Sequence, residues 1–232
     1  MSNGYGQTPD PASLIVSVDF SIVGWGAAFP TIEYVKDGQR QSLGVPAFAR
    51  SETVHYTGKA KLELFLKVAQ DGKLVDAVVA APVLNPDDKR VIILLAPPIN
   101  GKSAFKLLPS PKPGTFNNGM LRVCNFCPTR LAIKSNNGGI TVLPPDSTRI
   151  FEPINGGLTF VTAYEEAGKW RGLHELRMGL PSDQETTLLY FKSDFEMFQS
   201  NGGITDPIQS VTLIEKRLID EKPHRVASLA GR

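Results

Sequence analysis

Residues 62–95 and 158–191 run through the same β-rich pattern, and this repetition limits what the chain can fold into more than any other feature. The first window reads LELFLKVAQDGKLVDAVVAAPVLNPDDKRVIILL and the second LTFVTAYEEAGKWRGLHELRMGLPSDQETTLLYF. They align without a gap at an offset of 96 residues, which places Gly72 on Gly168 and Lys73 on Lys169. Identities are sparse, among them Leu62/Leu158, the Gly-Lys pair and Asp87/Asp183. What repeats is the grammar: strand, Gly-Lys turn, strand, Pro/Asp-rich turn, apolar strand. A twofold β repeat dictates architecture and leaves chemistry open.

The length of 232 residues suits one large β domain or two of roughly half that size. Glycine (21) and proline (18) are frequent, which favours many turns and short strands over long helices. Charge is balanced at a net +2, and no basic stripe with interleaved aromatics speaks for nucleic acid. Apolar runs such as 91–98 are far shorter than a membrane-spanning helix. No apolar leader core stands at the start; the expectation is that a signal peptide, if one was made, has been removed.

Strand signals recur at short spacing. Residues 14–22 alternate, Gly24-Trp25-Gly26 breaks the run, and residues 31–35 alternate again up to Asp37-Gly38. Asp-Gly between strand-like runs predicts a hairpin, because a type I′ turn requires positive φ at both central positions. Strands are expected over 53–56, 62–68, 74–79, 90–96 and 104–108, with Asn85-Pro86-Asp87-Asp88 as an Asx-type turn. The second copy offers 120–125, 131–134, 140–143, 148–151 and the aligned window. Its front is shorter: Val18 falls near Val123, an offset of 105, as if one early loop had lost about nine residues. A short helical turn is expected over 195–199, a breaker at Asn201-Gly202-Gly203, and strand or helix over 211–218. The resulting division is a lead-in (1–12), unit 1 (13–108), a Pro/Gly-rich linker (109–118), unit 2 (119–220) and a tail (221–232). The pattern reads as an all-β sandwich or barrel, and the lack of βαβ alternation argues against doubly wound and β/α-barrel folds.

Few residues suggest chemistry. Cys124 and Cys127 are the only cysteines. A redox pair needs its first thiol at a helix N-terminus, and these lie between strand-like runs. A disulfide between them requires the segment to turn, since residues three apart in a strand lie roughly 10 Å apart; two free thiols is the alternative. A zinc site from Cys124, Cys127, His55 and His174 would need distant residues to converge. His174 aligns with Val78 and reads as a strand residue, as does His55; His224 falls in the tail. No G-x-S-x-G elbow occurs. The acidic pairs Asp87-Asp88 and Glu165-Glu166 are expected in turns, and the Gly-Gly pairs at 138, 156 and 202 read as turns rather than phosphate loops. No catalytic, cofactor-binding or metal-binding set is therefore assigned. Trp25, Phe29 and Trp170 are the candidate surface contacts, Trp25 because glycines flank it.

The stretch RVCNFCPTRLAIKSNNGGITVLPPDSTRIFEP, followed by GLTFVTAYEEAGKW and TTLLYFKS, resembles small immunoglobulin-like β-sandwich modules of bacterial secreted and cell-envelope proteins. The style is that of the Verrucomicrobia–Planctomycetes group, where such modules accompany envelope and pilus-type systems. The resemblance covers residues 119–193 and, more loosely, 13–97. It implies two tandem immunoglobulin-like β-sandwich units and a non-catalytic structural or adhesive role in the periplasm, at the outer membrane or outside the cell. The implied partner is another protein or a second copy, with a glycan as the alternative.

Overall fold

The computed structural model describes residues 11–70, 72–99, 101–111, 115–136, 138–192 and 207–216. The expected lead-in up to residue 10, the centre of the linker, the helical turn at 195–199, the breaker at 201–203 and the tail lie outside the described residues. Among the described residues the chain forms sixteen strands and one 3-10 turn at Pro11–Ser13, with no α-helix. It divides into two compact units that part between Thr115 and Phe116.

The first unit holds β1 (Ile15–Gly24), β2 (Phe29–Lys36), β3 (Gln39–Val45), β4 (Val54–Lys59), β5 (Leu64–Gln70), β6 (Lys73–Ala80), β7 (Arg90–Ile99) and β8 (Lys102–Pro109). They make two four-stranded sheets, in the orders β4-β1-β7-β8 and β3-β2-β5-β6. The second unit holds β9 (Leu121–Asn125), β10 (Leu131–Ser135), β11 (Ile140–Leu143), β12 (Ser147–Phe151), β13 (Gly157–Glu166), β14 (Lys169–Gly179) and β15 (Gln184–Lys192). The last strand, β16 (Ile208–Lys216), is divided between the units, its residues through Leu213 grouping with the first and those from Ile214 with the second. Its sheet has the order β12-β9-β15-β16, and the other is β11-β10-β13-β14. Strand for strand this is the first plan again, including the parallel pairs β1–β7 and β9–β15. The protein is thus all-β, two tandem β-sandwich units of one design. Of the segment 211–218, ambiguous in sequence, residues 211–216 are strand and the last two lie outside the described residues.

Turn chemistry sets the hairpins. Asp37 and Gly38 take φ of 52° and 75°, as a type I′ turn demands. Gly72 and Gly168, matched in the repeat, sit at φ 73° and 74° and close β5–β6 and β13–β14. The register of those hairpins agrees across the units: Gln70 faces Lys73, and Glu166 faces Lys169. The first core gathers Val16, Val18, Phe20 and Ile22 of β1 against Ile32, Tyr34, Leu64 and Val79 of the facing sheet. Phe20 meets Tyr34 edge-on at 5.3 Å; burying such a ring contributes about 2–3 kcal/mol.

Two expectations about the repeat are corrected. The gapless alignment sets Val91 on Thr187, yet these face opposite ways. Val91 and Ile93 point into the first core, whereas in β15 Tyr190 points between the sheets, its hydroxyl 2.9 Å from Thr162 Oγ1. Because strand side chains alternate, Leu188 rather than Thr187 matches Val91, and the copies slip by one residue before their seventh strand. Both hairpins also carry β-bulges at different points, between Leu64/Phe65 and between Thr162/Ala163. The shorter front is not one lost loop. Phe20, beside Val91, corresponds by facing to Val123, beside Leu188. The shortening is shared by the β2–β3 hairpin and by the next connection, residues 46–53 against 144–146.

Candidate functional site

The candidate contact residues part company in the structure. Trp25 is 2% exposed and Phe29 is also buried, so neither is a surface contact. The glycine beside Trp25 had suggested an exposed loop tip. Instead the chain folds tightly inward: a Cβ on Gly24 would stand 2.2 Å from the Ala27 carbonyl oxygen. The backbone N–H of Trp25 donates to the Leu95 carbonyl at 2.7 Å, and its ring meets Phe48 edge-on. Trp170, by contrast, is 45% exposed on β14.

Cys124 and Cys127 are both buried free thiols, so the disulfide is not formed. They serve different surroundings. Cys124 accepts a hydrogen bond from Thr148 Oγ1 at 3.5 Å, on the face of β9 where Arg122 Nε donates to Thr187 Oγ1. Cys127 is enclosed as completely, at 1% exposure. Burial pushes the Cys127 thiol up to about 12, and it raises Cys124 as well. Neither is an activated nucleophile. Between them stands Asn125, which the sequence reading passed over. Its Nδ2 lies 2.9–3.0 Å from the carbonyl oxygens of Thr129, Leu143 and Pro144, and its Oδ1 accepts from Cys127 N–H at 2.9 Å. The segment 124–127 is thus a hydrogen-bonded corner built around its buried asparagine.

His55 and His174 are strand residues, as expected, and His224 lies outside the described residues. His174 stacks on Tyr190 and its Nε2 lies 3.2 Å from that hydroxyl. His55 Nδ1 lies 2.8 Å from Asp19 Oδ1 on the surface of the first unit. Among the described residues no three His, Cys, Asp or Glu side chains are grouped to hold a metal. Asp87-Asp88 lies in the expected turn, with Asp87 N–H donating to Asn85 Oδ1. Glu165 and Glu166 do not: they end β13. Arg130 grips the two carboxylate oxygens of Glu165 through Nε and Nη2, each at 2.6 Å. That hydrogen-bonded grip holds the Glu165 carboxyl below its ordinary range.

The most distinctive surface lies on the outer side of the sheet β11-β10-β13-β14. Register places three rows across it. Val142, Ala132, Ala163 and Gly172 are successive partners across all four strands. On one side run Ile140, Lys134, Val161 and Glu175. On the other lie Arg130, Glu165 and Trp170, with the Arg130 guanidinium 5.8 Å from the indole centre. Small side chains in the middle row leave a shallow trough, roughly 14 Å long at the usual strand spacing. Its apolar residues are open to solvent: Val142 at the end of the middle row is 44% exposed, and Ile140 and Val161, which alternate with Lys134 and Glu175 in the flanking row, are 67% and 46% exposed. Lone apolar residues on a surface need no explanation, but a contiguous set does.

The matching sheet of the first unit, β3-β2-β5-β6, is dressed differently. Where Ala163 faces Gly172, Lys67 faces Asp76, and the two are paired at 3.1 Å. Arg40 joins Asp76 and Glu33 and lies 3.7 Å over the ring of Phe65, which is only 9% exposed. Val35, Leu74 and Val78 are exposed there too, but the charged residues thread between them.

The trough was legible in principle. In residues 158–163 the outward positions Val161 and Ala163 are apolar as well as the inward Leu158 and Phe160, a sign of a strand with partners on both faces. No family model matches the chain. No curated protein matches it.

Proposed function

We propose that this chain is a non-catalytic interaction module that binds a protein partner through the outer face of β11-β10-β13-β14. One observation carries the reading: the same sheet in the two units bears an ion-pair network in one copy and an open apolar trough in the other. The trough has the anatomy of a contact patch, apolar at its centre and rimmed by Arg130–Glu165 and by Lys134 with Glu175. The secreted or envelope setting, and an association with a pilus-type assembly, rest on the resemblance of residues 119–193 to envelope modules.

The sheet orders support an immunoglobulin-like description in part. The order β3-β2-β5-β6, all antiparallel, follows the C′-C-F-G sheet of variable-type domains. The parallel β7 beside β1 departs from it, since an immunoglobulin A strand runs antiparallel to B.

Glycan binding is the second reading, favoured by the exposure of Trp170; a sugar would need a ring face that Arg130 partly occupies. Isothermal titration with a purified partner or glycan, on the chain and on its Ala163→Lys/Gly172→Asp variant, tests both. Loss of protein binding in the variant supports the trough. Glycan binding abolished by Trp170→Ala alone supports the alternative.

A further inference from the structure

β14 spans Lys169–Gly179 and is the longest strand among the described residues. It stands at the edge of its sheet, with its residues exposed or half-buried. Long edge strands invite pairing unless something blunts them. Here the direction of the backbone groups can be read from neighbouring bonds. Asn136 N–H donates to the Thr159 carbonyl at 2.9 Å, so Thr159 turns its backbone toward the β10 side. Alternation along an antiparallel strand then turns Leu158, Phe160 and Thr162 toward β14. Their partners Met178, Leu176 and His174 bond inward. Glu175, Arg177 and Gly179 therefore direct their N–H and C=O groups away from the sheet, and an incoming strand would meet them first.

The side chains at those positions choose a register. Glu175 and Arg177 both lie on the outer face, with Arg177 Nε donating to Glu175 Oε1 at 3.0 Å. Two copies of β14 related by a twofold axis at Leu176 set each Glu175 opposite the partner's Arg177. Both residues of that pair have outward backbone groups, so they can exchange two hydrogen bonds. A shift by two residues puts Glu175 against itself or Arg177 against itself. A slip by one residue sets outward groups against inward ones and forms no ladder. The bulge at Leu173, which β13 leaves unpaired between Gly172 and His174, limits the regular stretch to its C-terminal side and so removes competing registers.

We infer that two copies of this chain associate antiparallel through residues 174–178 of β14, joining their sheets into one of eight strands. The contact uses the backbone edge of β14, but Glu175 also stands on the rim of the trough; partner binding is therefore read on the Ala163→Lys/Gly172→Asp variant, which leaves Glu175 and Arg177 in place.

Sedimentation equilibrium of the full chain over a wide concentration range tests it, with circular dichroism to confirm folding. The chain is expected to approach twice the monomer mass. Glu175→Arg and Arg177→Glu each place like charges opposite one another twice, and each is expected to weaken the dimer roughly ten- to thirty-fold. The exchange Glu175→Arg/Arg177→Glu restores the pairing and is expected to restore the dimer. A chain that stays monomeric overturns the inference. So does a dimer indifferent to the single reversals, or one that the double exchange does not rescue.

Discussion

The two sheets β3-β2-β5-β6 and β11-β10-β13-β14 share strand order and the register beside the Gly72 and Gly168 turns, yet present different chemistry at the centre of their outer faces. In the first, Lys67, Asp76, Arg40 and Glu33 form a network over Phe65. In the second, Ala163 and Gly172 occupy the places of Lys67 and Asp76. Exposed ion pairs contribute little to stability, about 0–1 kcal/mol each. The fold therefore needs neither dressing, and the difference between them marks what the second copy presents outward. The interiors differ as well. Ile22 in β1 is fully apolar and packed in the first core; its facing counterpart in β9 is Asn125, which secures the corner of the second.

The sharpest way to break that comparison is inside the second unit. Asn125→Ala strands the Cys127 N–H and removes the amide held by the Thr129, Leu143 and Pro144 carbonyls. Urea denaturation is expected to show a loss of about 3 kcal/mol or more. Both cysteines lie in the second unit and are buried, so thiol labelling at pH 8 reports its opening alone. The thiols are expected to be unreactive in the folded chain and to label as the variant opens. Cys127 is raised to about 12 from 9.0, so its neutral form is favoured on folding. The stability this represents is fully present below pH 9 and falls away as pH rises toward 12.

Tyr190→Phe removes the hydroxyl shared with Thr162 and His174. A loss of about 1–2 kcal/mol is expected in the same denaturation experiment. A neutral result would mean that stacking on His174, not the hydrogen bonds, fixes this ring.

Grafting the first unit's ion pair onto the second, as Ala163→Lys/Gly172→Asp, asks whether scaffold and contact are separable. Stability is expected to change by less than about 0.5 kcal/mol while partner binding is lost. A large destabilisation would show that the small row is structural. The smallest effect concerns the rim. Arg130→Ala is expected to raise the Glu165 carboxyl toward its ordinary value, read by carboxyl-carbon NMR titration. Since the folded value is the lowered one, the pair's contribution is present at neutral pH. It fades as pH falls through that lowered value.

How much of this the sequence revealed depends on the range of the interaction. Asp37-Gly38 and the Gly72/Gly168 turns are local conformational demands, and they stood plainly in the dipeptides. The one-residue slip before β7 and β15 did not, because the apolar run of residues 91–96 and the mixed run at 186–191 satisfy either facing. Trp25 misled for a related reason. Flanking glycines signal a loop tip as readily as a close backbone approach, and only the Ala27 and Pro46 carbonyls beside Gly24 decide between them. Asn125 hid between two cysteines that drew the chemistry to themselves. Glu165 was read as a turn acid, but β13 runs one residue past it before the Ala167-Gly168 turn.

The central claim is that the trough on the second unit, and not its charged counterpart on the first, is where a partner sits. Site-specific photocrosslinking compares them within one molecule, with the same probe placed at position 163 or at position 67 in cells that make the protein natively. The account predicts one defined protein adduct from position 163 and none from position 67, with the purified adduct partner binding the unmodified chain. Equal labelling from both positions, or adducts from position 67 alone, would contradict it.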